Sequence, residues 1–157
     1  MLSALTIPPE DASPGYMYGV DSFYDGPCSG GYDPWLHAEL LNAEIVSNIT
    51  LPRDVVAAYS HQLHLIFFQP GLPEDVERCA IAHELVHFEY RDKGKSKAEE
   101  DRADRISTLR LIRPSDIYDA ALETDDLAEI ALDLKVTEKV MRLYARMARN
   151  GTLPGRH

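Results

Sequence analysis

"AIAHELVHFEY", residues 80–90, sets His83 and His87 four positions apart with Glu84 directly after the first histidine. On a helix, residues four apart share a face, with Cβ atoms roughly 5–6 Å apart, so the two imidazoles can grip one ion. Zinc takes imidazole nitrogen at roughly 2.0–2.1 Å in tetrahedral geometry. Glu84 lies one step round the helix, where it reaches a water on the ion without ligating it. Those are the positions of two ligands and a general base.

The flanking residues support a helix. Pro73 suits a first helical position, and Val76, Ala80, Leu85 and Phe88 help mark an apolar stripe, giving a helix from Leu72 to about Tyr90. "RDKGKS" breaks it and is long enough to reverse the chain. A second helix is expected from Ser96 to Ile112, with Ser96 as N-cap and Glu99 three residues later, as in a capping box. It stops before Pro114, because the residue preceding proline is biased away from helix.

A catalytic zinc needs a third protein ligand and a fourth position left to water. The second helix carries "AEEDRAD", in which Glu100 and Asp104 are also four apart. Glu100 is the candidate third ligand, with Glu99 and Asp101 as competitors. Asp104, one turn on, is placed to accept the Nδ1–H of a ligating histidine and fix its tautomer. The bland alternative is a solvated acidic face beside an amphipathic helix with two incidental histidines.

Upstream, "PWLHAELLNAEIV" reads as the opening of a helix with Pro34 in its first turn. "DVVAAYS" and "HLIFF" read as a hairpin or two strands of a small antiparallel sheet, followed by a "QPGLP" turn. Downstream, "PSDIYDAALE" is a short helix. "TDDLAEIALDLKVTEKVMRLYARMARNG" is a helix pair with a turn around Leu134–Val136, Thr137 as N-cap and Gly151 as the stop. The expected fold class is α+β: a small antiparallel sheet or hairpin packed on a mostly helical zincin-like core, closed by a helix-turn-helix-like C-terminal pair. Residues 1–34, dense in Pro, Gly, Tyr and Asp, form an irregular arm; residues 35–151 form one domain, with the helix-turn-helix-like segment at 125–149; residues 152–157 are a tail.

With 157 residues, 45% apolar and 27% charged, the chain has a globular balance. No stretch approaches the roughly 20 apolar residues of a membrane span. The N-terminus lacks the basic and apolar regions of a signal peptide. Two cysteines cannot build a disulfide framework. Cys79 reads as a buried reduced thiol, and the expected location is the cytoplasm. The net charge of −10 argues against a surface that wraps nucleic acid.

These stretches together resemble the ImmA/IrrE metallopeptidases. The resemblance covers roughly residues 45–145 and rests on "LIFFQPGLPEDVERCAIAHELVHFEY", "EEDRADRISTLRLIRP" and "LAEIALDLKVTEKVMRLY". It implies one zinc per chain held by His83, His87 and Glu100, with Glu84 as catalytic acid/base. It also implies a phage or bacterial regulatory protease, working in the host cytoplasm on a repressor of helix-turn-helix type or another transcription regulator. Val86 departs from the family's usual glycine, and "ISTLRLI" from its usual Phe-Ala-Ala pattern; both bear on packing and remove no ligand. Residues 1–44 lie outside the resemblance.

Other features have sharp and dull readings. Tyr59, His61, His64 and Tyr90 are candidates for oxyanion or substrate contacts, though each is more often an ordinary core or surface residue. The "DVVAAYSHQLHLIFF" region offers an edge strand for an extended substrate. Cys28 in "DGPCSGG" is a thiol able to cap an open zinc position; a loop cysteine without a role is the plainer reading. Arg142, Arg146 and Arg149 line one helical face, as in a DNA-reading helix. The preferred reading is a solvated face beside an apolar stripe of Val136, Val140, Leu143 and Met147 that packs on the core. His37 and His157 read as surface residues. A binding module without proteolysis and a DNA-binding regulator remain the competing functions.

Overall fold

The computed structural model describes residues 31–47 and 50–154. Cys28 and His157 therefore lie outside the described residues. The elements run α1 (Pro34–Leu40), β1 (Ile45–Val46), β2 (Ala57–Ser60), β3 (Leu65–Phe68), α2 (Glu74–Tyr90), α3 (Lys97–Leu111), α4 (Pro114–Ala121), α5 (Leu127–Asp133) and α6 (Glu138–Arg149). The fold is α+β, as expected, with a mostly helical body.

The sheet departs from the purely antiparallel expectation. β2 and β3 form the hairpin, pairing Ala58 with Phe67 and Ser60 with Leu65. β1 joins β3 in parallel, giving the order β1-β3-β2 and leaving β2 at an edge. The β1 residues were expected inside a helix running through "NAEIV". That helix ends earlier because Asn42 turns into the left-handed region (φ 53°) and the Ala43 N–H bonds back to the Ala38 carbonyl. Asparagine tolerates that conformation better than most residues, and the six-to-one bond closes the helix. Ile45 and Val46 are then free to run as strand.

α2 lies at the centre of the molecule. Ile81, Leu85 and Phe88 pack with Ala38, Leu41 and Ile66 toward α1 and the sheet. Cys79 and Ala82 face a second cluster built from Leu111, Ile112, Ile130, Val136, Met141 and Tyr144. Val86 fills a third contact against Ala103 and Ile106 of α3. A helix buried on three sides has little amphipathic contrast, so α2 is fixed by its neighbours more than by any single stripe.

α3 starts as expected. The Ser96 hydroxyl accepts from the Glu99 N–H, and the Glu99 carboxylate accepts from the Ser96 N–H. α5 and α6 join through Lys135 (φ 53°), with Thr137 capping α6 and Gly151 (φ 66°) ending it. Of the expected apolar stripe, Val136 and Met147 are buried while Val140 and Leu143 stay half-buried; Met141 and Tyr144 of α6 are buried in addition. Arg142, Arg146 and Arg149 stay exposed, and Arg142 pairs with Glu138.

His37 corrects the surface reading: it is only 1% exposed. Its Nε2 lies 3.1 Å from Glu89 Oε1 on α2, and its Nδ1 lies 2.7 Å from the Tyr32 hydroxyl. The same carboxylate takes a bidentate pair of bonds from Arg110 of α3, at 3.1 and 2.8 Å. Burial holds the His37 pKa down. A carboxylate only accepts, so the neutral ring carries its proton on Nε2 and accepts from Tyr32 at Nδ1. This buried network ties α1, α2 and α3 together. Burial alone favours the neutral acid at Glu89, but Arg110 and His37 outweigh it and hold its pKa below the usual carboxylate range.

Candidate metal centre

Helix geometry puts His83 and His87 one turn apart, and α3 packs against that face. Glu100, in the first turn of α3, meets both rings. The two Nε2 atoms lie 3.1 Å apart, and Glu100 meets them through different oxygens, Oε2 at 3.3 Å from His83 Nε2 and Oε1 at 3.2 Å from His87 Nε2; with one ligand atom per residue, all lie within 4.8 Å of one another. Donors about 2.05 Å from a tetrahedral centre sit about 3.3 Å apart. Glu99 is occupied by the capping box and Asp101 by Lys97, so neither competes.

The outer partners of the rings sharpen the case. His83 Nδ1 lies 3.0 Å from Asp104 Oδ1, the contact expected from the sequence. His87 Nδ1 lies 2.7 Å from Asp92 Oδ2, a contact the sequence reading missed. Both carboxylates only accept, so each neutral ring carries its proton on Nδ1 and turns a bare lone pair inward from Nε2. Glu100 Oε1 is buried and receives no hydrogen bond. Three groups able to ligate thus converge on one point. His83, His87 and Glu100 form a group that could hold a metal ion.

Asp92 is positioned by the way α2 ends. Arg91 adopts the left-handed conformation (φ 54°), and the Asp92 N–H bonds to the His87 carbonyl. This turn folds the Asp92 side chain back onto the His87 ring. Arg102 of α3 pairs with the other Asp92 oxygen and lies 3.9 Å over the Tyr90 ring. The signal in the sequence was the acidic residue five positions after His87, just past the helix stop.

Electrostatics favour positive charge here. Burial opposes charge on His83, but the hydrogen bond to Asp104 and the carboxylates of Glu84 and Glu100 prevail, raising its pKa above the ordinary 6.5. Asp104 is likewise desolvated, yet His83 and Lys139 keep its pKa low.

Glu84 stays outside the ligand triangle. Its Oε2 accepts the Tyr59 N–H of edge strand β2 at 2.8 Å. Tyr59 therefore contributes a backbone group; its hydroxyl instead meets His64 Nδ1 at 3.0 Å. His64 stacks on Phe88 at 4.1 Å, and His61 sets its ring edge against Tyr59 at 6.5 Å. Tyr90 packs beside Val86, Ala103 and Ile106. None of these four side chains lines the cleft of about 230 Å³ that contains His83, Glu84 and Glu100. That cleft is walled by α2, α3 and α6. Cys79 forms part of its wall and, as expected, is buried; desolvation pushes its thiol pKa up.

Among the described residues no helix is long and apolar enough to cross a membrane. Comparison of the chain with protein-family models, with curated proteins and with solved structures returned no match.

Proposed function

We propose that the chain is a zinc-dependent endopeptidase of the ImmA/IrrE kind, acting on a regulatory protein such as a helix-turn-helix repressor. The observation that carries this reading is the separation of roles on α2. His83 and His87 turn their Nε2 atoms toward Glu100, while Glu84 beside them is held off by the Tyr59 N–H. Two imidazoles and one carboxylate are a donor set suited to zinc with one position left open. A purely structural zinc is usually closed by four protein ligands and has no use for a neighbouring base.

When bound, the ion supplies Lewis acidity, polarising a peptide carbonyl and acidifying water. Glu84 takes the proton of the attacking water and returns it to the leaving amine. Its bond to Tyr59 fixes one oxygen and leaves Oε1 for the proton. Asp92 and Asp104 hold the two ring tautomers through the cycle. The Tyr59 N–H points out of the sheet edge, so the free side of β2 runs past Glu84. An extended substrate adding to this edge would present its backbone to the centre.

The test pairs metal analysis with proteolysis. The wild-type chain and Glu84→Gln are reconstituted with zinc, analysed for metal content, and incubated with a proteome-derived peptide library read by mass spectrometry. We expect one zinc per chain in both and cleavage only by the wild type. A wild type that takes up no zinc, or that holds zinc and cuts nothing, overturns the reading. Equal cleavage by Glu84→Gln overturns the role of the base.

A further inference from the structure

We propose that α6, the second helix of the C-terminal pair, forms a specificity pocket that receives one apolar side chain next to the bond being cut. The inference rests on the endopeptidase reading above and names the substrate class that the same site would select.

The cleft beside the cluster is bounded on one side by Val76 and Ala80, about two turns and one turn before His83, and on the other by Val140 and Leu143 of α6. All four are half-buried. Leu143 belongs to none of the three buried clusters, so its side chain serves the cleft and not the core. Most polar groups of the walls have partners of their own. Ser107 donates to the Asp104 carbonyl, the Thr137 N–H donates to Cys79 Sγ, and Lys139 lies 3.7 Å from Asp104 at the mouth. Thr108 is only 1% exposed, and its buried Oγ1 makes no hydrogen bond. Away from the cluster, Val56, Val76, Ala80, Val140 and Leu143 make the wall mainly aliphatic.

Size and position select the occupant. At about 230 Å³ the cleft falls below the roughly 300–1,000 Å³ typical of whole-ligand pockets, so it suits a side chain and not a separate molecule. Val56, just before edge strand β2, lines the cleft too, while Tyr59 on the same strand holds Glu84. A peptide running along β2 thus passes both the base and the pocket. Its side chains alternate between faces, so one residue enters the cleft while its neighbours point away. A leucine, methionine or phenylalanine in that position fits the walls; a charged one does not. The helix whose apolar stripe was expected to pack only on the core is, in this reading, part of the substrate site.

The test uses two metal-binding probes that need no hydrolysis. Acetohydroxamate and 4-methylpentanohydroxamate differ by an isobutyl extension, and their affinities for the zinc-loaded chain are measured by calorimetry. We expect the branched probe to bind roughly tenfold or more tightly, the gain from burying that group. Leu143→Ala should remove most of the gain while leaving acetohydroxamate binding unchanged. Val140→Phe should abolish it by filling the cleft. Val140 also packs against the core, so Leu143→Ala, at a position outside it, decides the matter if the other variant unfolds. Equal affinities in the zinc-loaded wild type, or a gain that survives Leu143→Ala, overturn the pocket and leave the metal centre standing. A chain that takes up no zinc overturns both.

Discussion

Asp92 and Asp104 each accept from one ring of the proposed zinc pair, yet they should not matter equally. Losing such an outer carboxylate typically weakens metal binding about 10–100-fold. The Asp92 side chain is 5% exposed and sits 2.7 Å from His87, whereas the Asp104 side chain is 30% exposed and sits 3.0 Å from His83. Water partly replaces and screens the exposed carboxylate but has no access to the buried one. Asp92→Asn should therefore fall near the upper end, about 100-fold or about 2.7 kcal/mol, and Asp104→Asn near the lower, about tenfold. Asparagine keeps an oxygen able to accept the Nδ1–H, so the change tests the charge and not the bond alone. It also leaves Arg102 without its carboxylate partner, so the zinc-free melting temperature of each variant serves as the control for folding. The assay is a competition titration against a chromogenic zinc chelator at neutral pH. Wild-type affinity in Asp92→Asn, or a larger loss in Asp104→Asn, would refute the argument that burial sets the strength of these contacts.

The remaining predictions concern the scaffold. Arg110→Met strands the Glu89 carboxylate in the interior and should cost about 3–5 kcal/mol, a fall in melting temperature of roughly 6–20 °C. Adding Glu89→Leu should recover most of it; a single variant as stable as wild type would show that the network contributes little. In the wild type the Glu89 pKa is depressed from the ordinary 4.5, so its stabilisation is complete above that value and is lost as pH falls through the lower folded value. The stability gap between wild type and Arg110→Met should therefore narrow on acidification, followed by urea unfolding across pH. Ser96→Ala removes the cap of α3 and should cost about 1 kcal/mol in urea unfolding, with zinc affinity nearly unchanged because α3 stays packed on α2.

The local rules of the chain were legible in its residues. The four-residue spacing of His83 and His87 fixes a shared helical face, Ser96 with Glu99 writes a helix start, and Gly151 writes a helix stop. Glu100 and Asp104 could be matched to the histidines because their spacing repeats on the next helix, and a short loop folds one helix against the other. The structure brings His83, His87 and Glu100 into a group that could hold a metal ion.

What the sequence left open depends on contacts between distant elements. His37 looked like a surface residue because only the fold brings Glu89 and Tyr32 to it. The parallel strand at Ile45–Val46 depends on where Asn42 stops α1 and on the vacant edge of β3 that receives it. Glu84 is restrained by a backbone N–H twenty-five positions away, which no spacing rule encodes. The exposed arginines of α6 form the solvated face expected, but of the apolar stripe expected to pack on the core, Val140 and Leu143 line the cleft. Spacing along one helix is fixed by its 3.6-residue period, so sequence determined the histidine pair. Which charges end up buried, and which helix closes the site, follow from how the faces pack, and only the tertiary structure decided those.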